Sequence, residues 1–582
     1  MNIFKILKEQ IFEALQTLVN NGKIEQMPNV DRVTTEPPRD VSHGDVATNV
    51  AMVCAGQVGM KPRDFAELIA GELQDLDSVD SVEVAGPGFI NLKLSNHFWY
   101  DQLKTILQKK EHYGDSDMGK NEKVNVEYCS ANPTGPLHIG HIRSTIFGDC
   151  IANLLSKSGY DVTREYYIND AGAQMDKLAK STYLRYREAL GEDIGEIPAG
   201  YYPGDYLKDV AKAIVEKDGD KWMHVDEAEC HLYFRDFACK MILDDIKKDL
   251  ADAGIHFDVF TSELAIKNSG GIERALDVLK EQDLVYMGIP EKPKSDKVGD
   301  EWEPHKMLLF RSTKFGDEAD RPLARADGTY TYFMPDIAYQ YDKFSRGFKR
   351  LIMTLGADHG GYVKRLTSAV NAVTQGRAHL EMPLVQMVSF SKDGQPFKMS
   401  KRNGTIVLVR DLLEEIGKDV ARFFMMTRKN DSQLEFDLVK VKEQSKDNPV
   451  FYVQYANARA NSVFRHAQEL FGQNVMDDVI DADLTLLKDE DEIALIRLMT
   501  EFPRQIELAA SVVEPHRIAY YLNDLASAFH ALWNKGRDDV QMRFLDENNP
   551  PLSKARLALL QGVCYIIEAG LAVFGVKPVK EM

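Results

Sequence analysis

The chain has 582 residues, is 44% hydrophobic and carries a formal net charge of −19. That length exceeds what a single hydrophobic core organises, so roughly three or four domains are expected. The acidity excludes a general nucleic-acid coat protein, whose affinity comes from many Lys and Arg contacts to phosphate. It leaves room for a local basic track on an enzyme that reads one RNA while overall repulsion turns others away.

The first helical stretch, MNIFKILKEQIFEALQTLV, is amphipathic, contains acids and lacks a small-residue cleavage site. With no run of about eighteen or more apolar residues, the expectation is a cytoplasmic protein without a membrane partner. Cys54, Cys129, Cys150, Cys230, Cys239 and Cys564 are scattered, with no CxxC pair and no His at zinc-finger spacing. They read as buried reduced thiols, with no protein-bound zinc and no metal site.

Helical periods around Ile11 and Phe65 precede short strands at Val82–Val84 and Phe89–Leu94, an α/β domain over 1–110 that ends in the charged linker Gln108–Lys123. From Lys123 the apolar strand VNVEYCS, a Gly/Pro turn, the helix His141–Lys157 and the strand VTREYYIND form the βαβ unit of a parallel sheet. A nucleotide site is expected at the carboxyl ends of those strands. The segment from Ala173 to Phe310 alternates helical period with turns and reads as an insertion, 175–310. Strand-like runs return at Thr329–Phe333, Arg350–Leu355 and Leu384–Phe390, the second half of the same sheet. Beyond Asp411 the period is helical, over Val450–Leu470, Glu492–Val513, His516–Lys535 and Leu552–Phe574. The expected division is therefore an N-terminal domain (1–110), a doubly wound, Rossmann-like catalytic domain (121–410), a connecting helical segment (411–449) and an all-α C-terminal bundle (450–582).

Between the first strand and helix of that sheet lies Ala131–His141, AlaAsnProThrGlyProLeuHisIleGlyHis. His138 and His141 stand three residues apart at a helix start, where free N–H groups and the helix dipole favour phosphate oxygens. Gly140 allows close approach to the backbone. Alone, the motif is more readily a proline-rich loop ending in a helix cap with incidental histidines. Further along, Phe397–Gly404 places Lys398 and Lys401 three residues apart after the polar loop Ser391–Gly394. Two ammonium groups on long stems are suited to neutralising a departing pyrophosphate. Alone, that motif is a solvated basic loop.

Together, in order and on the matching halves of one sheet, HisIleGlyHis (138–141) and LysMetSerLys (398–401) resemble the two signatures of class I aminoacyl-tRNA synthetases. The resemblance implies ATP with Mg2+ as the substrate complex, catalytic roles for His138, Gly140, His141, Lys398 and Lys401, and ATP contacts from Ala131, Pro133, Thr134, Gly135, Met399 and Ser400. It implies attack of an amino-acid carboxylate on the α-phosphate, then transfer to a terminal tRNA ribose.

An arginine site needs carboxylates that receive a planar five-donor guanidinium in bidentate geometry. Glu127, Asn132, and Tyr332 with Asp336 in TyrThrTyrPheMetProAspIleAlaTyr (330–339) resemble the arginyl-tRNA synthetase family's binding pattern. So do Tyr167–Gln174, Arg325–Tyr332 and Gly356–Tyr362. The resemblance implies that Glu127 and Asn132 meet the α-amino end and that Tyr332 and Asp336 meet the guanidinium. It also places Gly356, Asp358 and His359 at the adenosine. Edge-strand exposure for Glu127 and core packing for Tyr332 are the alternatives.

On the RNA side, His43–Asn49 and Gly86–Asn91 resemble that family's additional N-terminal domain. Phe89 is then a base platform and Asn91 a reader of a base edge. Phe529–Arg537 and the C-terminal LeuAlaValPheGly resemble its anticodon-binding bundle, with Arg459, Trp533 and Arg537 as tRNA contacts. The family usually carries tyrosine where Trp533 stands, and an aromatic on a helix is more often core. The implied partners are tRNA(Arg), L-arginine and ATP, and the implied state is a monomer. Glutamyl and cysteinyl synthetases would show a basic carboxylate pocket or zinc-binding cysteines. A small nucleotidyltransferase would not need the C-terminal bundle, and a regulator descended from a synthetase would be expected to lose His141, Lys401 or Asp336.

Overall fold

The computed structural model describes residues 2–291, 305–396, 407–445, 447–477 and 479–582. Two compact units emerge, Gly119–Glu443 and a second assembled from Met1–Met118 with Gln444–Met582.

The N-terminal segment runs α1 (Ile3–Asn20), β1 (Thr35–Glu36), β2 (Val46–Thr48), α2 (Val50–Cys54), α3 (Pro62–Gln74), β3 (Val79–Ala85), β4 (Phe89–Leu94) and α4 (Asn96–Lys109). Asn2 caps α1 by accepting from the Phe4 N–H, and Ile3, Leu7, Ile11, Leu15 and Leu18 bury one face of it at helical spacing. The strands form an antiparallel sheet in the order β1-β2-β4-β3.

The middle segment runs β5 (Lys123–Glu127), α5 (Ile139–Lys157), β6 (Asp161–Ile168), α6 (Ala173–Ala189), α7 (Tyr206–Asp218), α8 (Glu227–Asp252), β7 (Val259–Ser262), α9 (Glu263–Asn268), α10 (Gly271–Glu281), β8 (Val285–Gly288) and β9 (Met307–Phe310). It continues through β10 (Arg321–Ala324), α11 (Phe333–Ser345), β11 (Arg350–Met353), β12 (Leu355–Gly356), α12 (Gly360–Val373), β13 (His379–Glu381), β14 (Leu384–Val385), β15 (Val388–Lys392), β16 (Gln395–Pro396), α13 (Val409–Ile416), α14 (Lys418–Met425) and β17 (Leu434–Asp437).

Its main sheet is parallel in the order β13-β11-β5-β6-β7. The chain winds outward from β5 through β6 to β7 and returns on the other side through β11, so the carboxyl end of β5 is the switch point where an open α/β sheet binds its ligand. Central β5 is buried from Val124 to Glu127.

Five expectations need correction. Leu384–Phe390 is not part of the main sheet: β14 pairs with β12, and β15 with β16 and β17. β7 is a strand of the main sheet, so the insertion of 175–310 closes earlier, after helices α6 to α8; the short run VFTS is too brief to announce itself. Thr329–Phe333 is not a strand: a single Ala324–Tyr330 bridge follows the Asp327–Gly328 turn, and α11 begins at Phe333. Glu492–Val513 is two helices because Pro503 cannot donate an N–H within a continuous one. The stretch 411–449 is not purely helical, since β17 pairs in parallel with β15.

Helices α15 (Pro449–Phe471), α16 (Glu490–Thr500), α17 (Phe502–Ser511), α18 (His516–Asp538) and α19 (Pro550–Val573) complete the discontinuous unit. α19 is long and apolar enough to cross a membrane by length and composition, but it is largely buried as the bundle's core helix. Tyr100 Oη on α4 donates to the Leu487 carbonyl at 2.6 Å, and Lys5 Nζ pairs with Glu507 at 2.6 Å, so the two ends of the chain share one packed body. The six cysteines form no disulfide.

In the Gly119–Glu443 unit, Arg422 of α14 is fully buried and hydrogen-bonds Asp149 of α5 and the Ala253 carbonyl. Arg422→Met removes the shortest charge contact of the buried Asp149 carboxylate and leaves it with Tyr128, Asn153 and the longer Arg164 contact at 3.8 Å. We expect the substitution to cost about 3–5 kcal/mol, read as a lower urea midpoint for the unit's tertiary signal. An unchanged midpoint would mean the pair contributes nothing net.

Candidate active site

The turn after β5 is sharply bent, with Cys129 and Ser130 both at positive φ (65° and 42°). The loop beyond is held by tyrosines: Tyr166 Oη donates to the Ala131 carbonyl at 2.7 Å and Tyr206 Oη to the Thr134 carbonyl at 2.5 Å. Ala131 and Pro133 are buried, and Thr134 and Gly135 half-buried. His138 caps α5. The Gly140 N–H donates to its Nδ1 at 3.2 Å, and the His138 N–H donates to Nδ1 of His141 at 3.3 Å, with the rings 3.9 Å apart.

Both Nδ1 atoms therefore accept, which assigns the remaining ring proton to Nε2 in each neutral imidazole. Burial lowers the pKa of both, to about 4 for His141. At neutral pH the pair is a set of two uncharged Nε2–H donors. Gly140 is required for this: a Cβ there would lie 2.9 Å from His138 Cε1.

The first motif is stitched to the chain just beyond the second. The Ile139 N–H donates to the Val407 carbonyl and the Val409 N–H to the Leu137 carbonyl, each at 3.0 Å. Lys398, Met399, Ser400 and Lys401 lie outside the described residues. Arg143 of α5, 2% exposed, donates to the carbonyls of Gln386 (3.0 Å), Lys429 (2.8 Å) and Ser432 (2.7 Å). Asp437 accepts from the backbone N–H groups of Gly394 (2.7 Å), Val439 (2.9 Å), Asp393 (3.2 Å) and Lys440 (3.3 Å). Burial opposes its charge, but these donors hold its carboxyl well below the ordinary range. The hairpin of β15 and β16 is thereby anchored on β17.

Beside the switch point the structure gathers carboxylates. Glu127 is 1% exposed on the central strand, not at an edge, and accepts from the fully buried Lys343 Nζ at 2.5 Å and from Ser130 Oγ at 3.3 Å. Lys343 also lies over the Tyr339 ring at 4.2 Å, and Tyr339 stacks on Tyr167 at 4.2 Å. Asp336, in the first turn of α11, is half-buried. This burial raises its carboxyl to about 7, with Glu263 and Glu127 pushing the same way and the Tyr362 hydroxyl opposing them by donating to Oδ2.

Burial likewise raises Glu263, the first residue of α9. No cation among the described residues is in hydrogen-bond contact with Asp336 or Glu263. Tyr332, one turn before Asp336, is 81% exposed and so is not core packing. Exposed Asn132 donates to Gln174 Oε1 at 3.0 Å.

Sequence reasoning missed Glu263, which lies in the stretch taken as insertion, and assigned no role to Tyr362 or Lys343. The signal for Glu263 was the Thr261–Ser262–Glu263 strand-to-helix junction, readable only once β7 is known.

Gly356 ends β12, and a Cβ there would meet Asp358 Oδ1 at 2.5 Å; Asp358 and His359 are exposed, with oxygen and Nε2 3.5 Å apart. In the discontinuous unit, Phe89 is 41% exposed while Asn91 is 7% exposed between Ala47 and Glu83 on the neighbouring strands. Arg459 lies between the rings of Tyr455 (4.2 Å) and Trp533 (5.0 Å) and 3.2 Å from His530 Nδ1. Trp533 also packs on Phe529 and Phe544. Arg537 is exposed beside Asp538. Among the described residues no group of His, Cys, Asp or Glu is arranged to hold a metal ion.

A switch-point turn carrying paired histidines at a helix start, in a doubly wound sheet followed by a helical bundle, defines a class I aminoacyl-tRNA synthetase. The description "tRNA synthetases class I (R), catalytic domain" matches residues 102–464, "Arginyl tRNA synthetase N terminal domain" matches 5–94, and "DALR anticodon binding domain" matches 453–582. The chain belongs to the arginyl-tRNA synthetase family. It is 52% identical to a protein of Parvibaculum lavamentivorans named arginine–tRNA ligase and 50% identical to one so named from Ruegeria sp. strain TM1040, with all of each chain covered. Its fold is similar to that of Thermus thermophilus arginyl-tRNA synthetase, with a TM-score of 0.69 at 20% identity over 99% of this chain and 100% of that one.

Proposed function

We propose that this chain is an arginine–tRNA ligase that activates L-arginine with Mg-ATP and transfers it to the 3′-terminal ribose of tRNA(Arg). The observation that carries the arginine assignment is the pair of Asp336 and Glu263, two raised carboxylates with no cation among the described residues in hydrogen-bond contact. A guanidinium supplies the missing charge and donors, with Tyr332 over it. Glu127, held by Lys343, and Asn132 take the α-ammonium end.

The arginine carboxylate attacks the α-phosphorus of ATP and the bond to the bridging oxygen breaks, giving arginyl-adenylate and pyrophosphate. The Nε2–H groups of His138 and His141 donate to phosphate oxygens as charge builds. Lys398 and Lys401 neutralise the leaving pyrophosphate, and Met399 and Ser400 complete that loop's contact with ATP. A terminal ribose hydroxyl then attacks the acyl carbon and AMP departs. The loop Ala131–Gly135, with Gly356, Asp358 and His359, receives the nucleotide.

Phe89 stacks on an unpaired base of the tRNA's outer corner, and Arg459, Trp533 and Arg537 contact the anticodon region. The protein works in the cytoplasm as a monomer. The division into 1–110, 121–410, 411–449 and 450–582 separates these tasks.

ATP–pyrophosphate exchange run with each standard amino acid, with and without bacterial total tRNA, tests this reading. Exchange is expected with arginine alone and only when tRNA is present. A signal with another amino acid, or none at all, would overturn it.

A further inference from the structure

We infer that Tyr362 is a positioning residue for the guanidinium site, its hydroxyl fixing the Asp336 carboxylate as an oriented anion in the arginine pocket. The inference rests on the reading of Asp336 as the guanidinium partner. Tyr362 lies in the first turn of α12, and its hydroxyl donates to Asp336 Oδ2 across from α11. The ring is held between Phe333, edge-on at 6.2 Å, and the Arg365 guanidinium, 5.6 Å from its centroid.

The groups around Asp336 make that donor necessary. Glu263 on α9 and Glu127 on β5 repel its charge. Tyr167 on β6 offers a phenol to the same cluster, and Lys343 on α11 is committed to Glu127. The Tyr362 hydroxyl is the contact that favours the ionised form, and because burial and Asp336 raise the phenol's own pKa, it remains a donor throughout the working range. A carboxylate accepting from a fixed hydroxyl keeps one oxygen occupied and turns the other lone pairs toward the pocket. In a guanidinium site this selects an orientation as well as a charge.

Tyr362→Phe keeps the ring and removes only the donor. The test measures kcat/KM for arginine in tRNA aminoacylation from acid to mildly alkaline pH for the parent chain, Tyr362→Phe and Asp336→Asn. This ratio reports ionisations of the free enzyme.

In the parent chain it is expected to fall as Asp336 takes up a proton near neutrality. In Tyr362→Phe the fall moves to higher pH, and at neutral pH kcat/KM is lower by about tenfold or more, carried by KM more than by kcat. A drop of the same factor at every pH would assign Tyr362 to packing and overturn the inference. So would a parental profile in Tyr362→Phe alongside an impaired Asp336→Asn. Parental arginine kinetics in Asp336→Asn would instead overturn the reading of the pocket on which the inference stands.

Discussion

Asp336→Ala is expected to lower kcat/KM for arginine by on the order of 10³-fold or more while leaving tRNA affinity close to that of the parent chain. On the proposed reading, arginine brings five donors and a permanent charge into a site that already holds raised carboxylates. Removing the one with the strongest shift leaves the guanidinium desolvated with too few acceptors, which costs more than a missing contact. The effect is confined to the amino-acid side, because Asp336 belongs to the Gly119–Glu443 unit and its neighbours there are Tyr362, Glu263 and Glu127. Amino-acid-dependent exchange and filter binding of tRNA measure the two halves of the prediction. Unchanged exchange would place the guanidinium elsewhere, with Glu263 the next candidate. Citrulline, isosteric but uncharged, and lysine, whose ammonium cannot span two carboxylates, should both be poor substrates.

Lys401→Ala is expected to reduce the rate of arginine activation by on the order of 10²–10³-fold, with a far smaller change in the KM for arginine. In the proposed mechanism its ammonium acts when the bond to pyrophosphate breaks and negative charge gathers on the leaving group. The histidines cannot replace it, since burial lowers the pKa of both His138 and His141 and leaves them uncharged donors at neutral pH. Single-turnover formation of adenylate, measured at saturating ATP and arginine, isolates the step. If instead the ATP KM rises while the rate at saturating ATP and arginine is unchanged, the lysine binds ground-state ATP and does not act selectively in the transition state.

What was legible in the sequence follows from range. The turn Ala131–His141 is local: its prolines, glycines and histidines sit within one strand-to-helix junction, and the hydrogen bonds that set the imidazole tautomers join residues at most three apart. Tyr332 and Asp336, one helical turn apart, were readable for the same reason, although the stretch that contains Tyr332 looked like a strand. The partners that tune these groups were not readable. Lys343 meets Glu127 across 216 residues, and Tyr362 meets Asp336 across 26. No periodicity records either pairing. β7 and β17 were missed because each has only four residues, too few for alternation to show.

The unit formed from both ends of the chain also orders events during synthesis. Trp99, Leu103 and Tyr100 of α4 are buried in a body whose other half begins at Gln444. A ribosome adding about 5–20 residues per second needs roughly 15–65 s to make the intervening segment Gly119–Glu443. Through that interval the nascent N-terminal segment carries an apolar face without its cover, while the nucleotide-binding unit can finish folding behind it. A messenger truncated after residue 443 would therefore encode an intact catalytic fold joined to an incompletely buried one, so surveillance of that product would act on the first hundred residues, outside the unit that carries the active site.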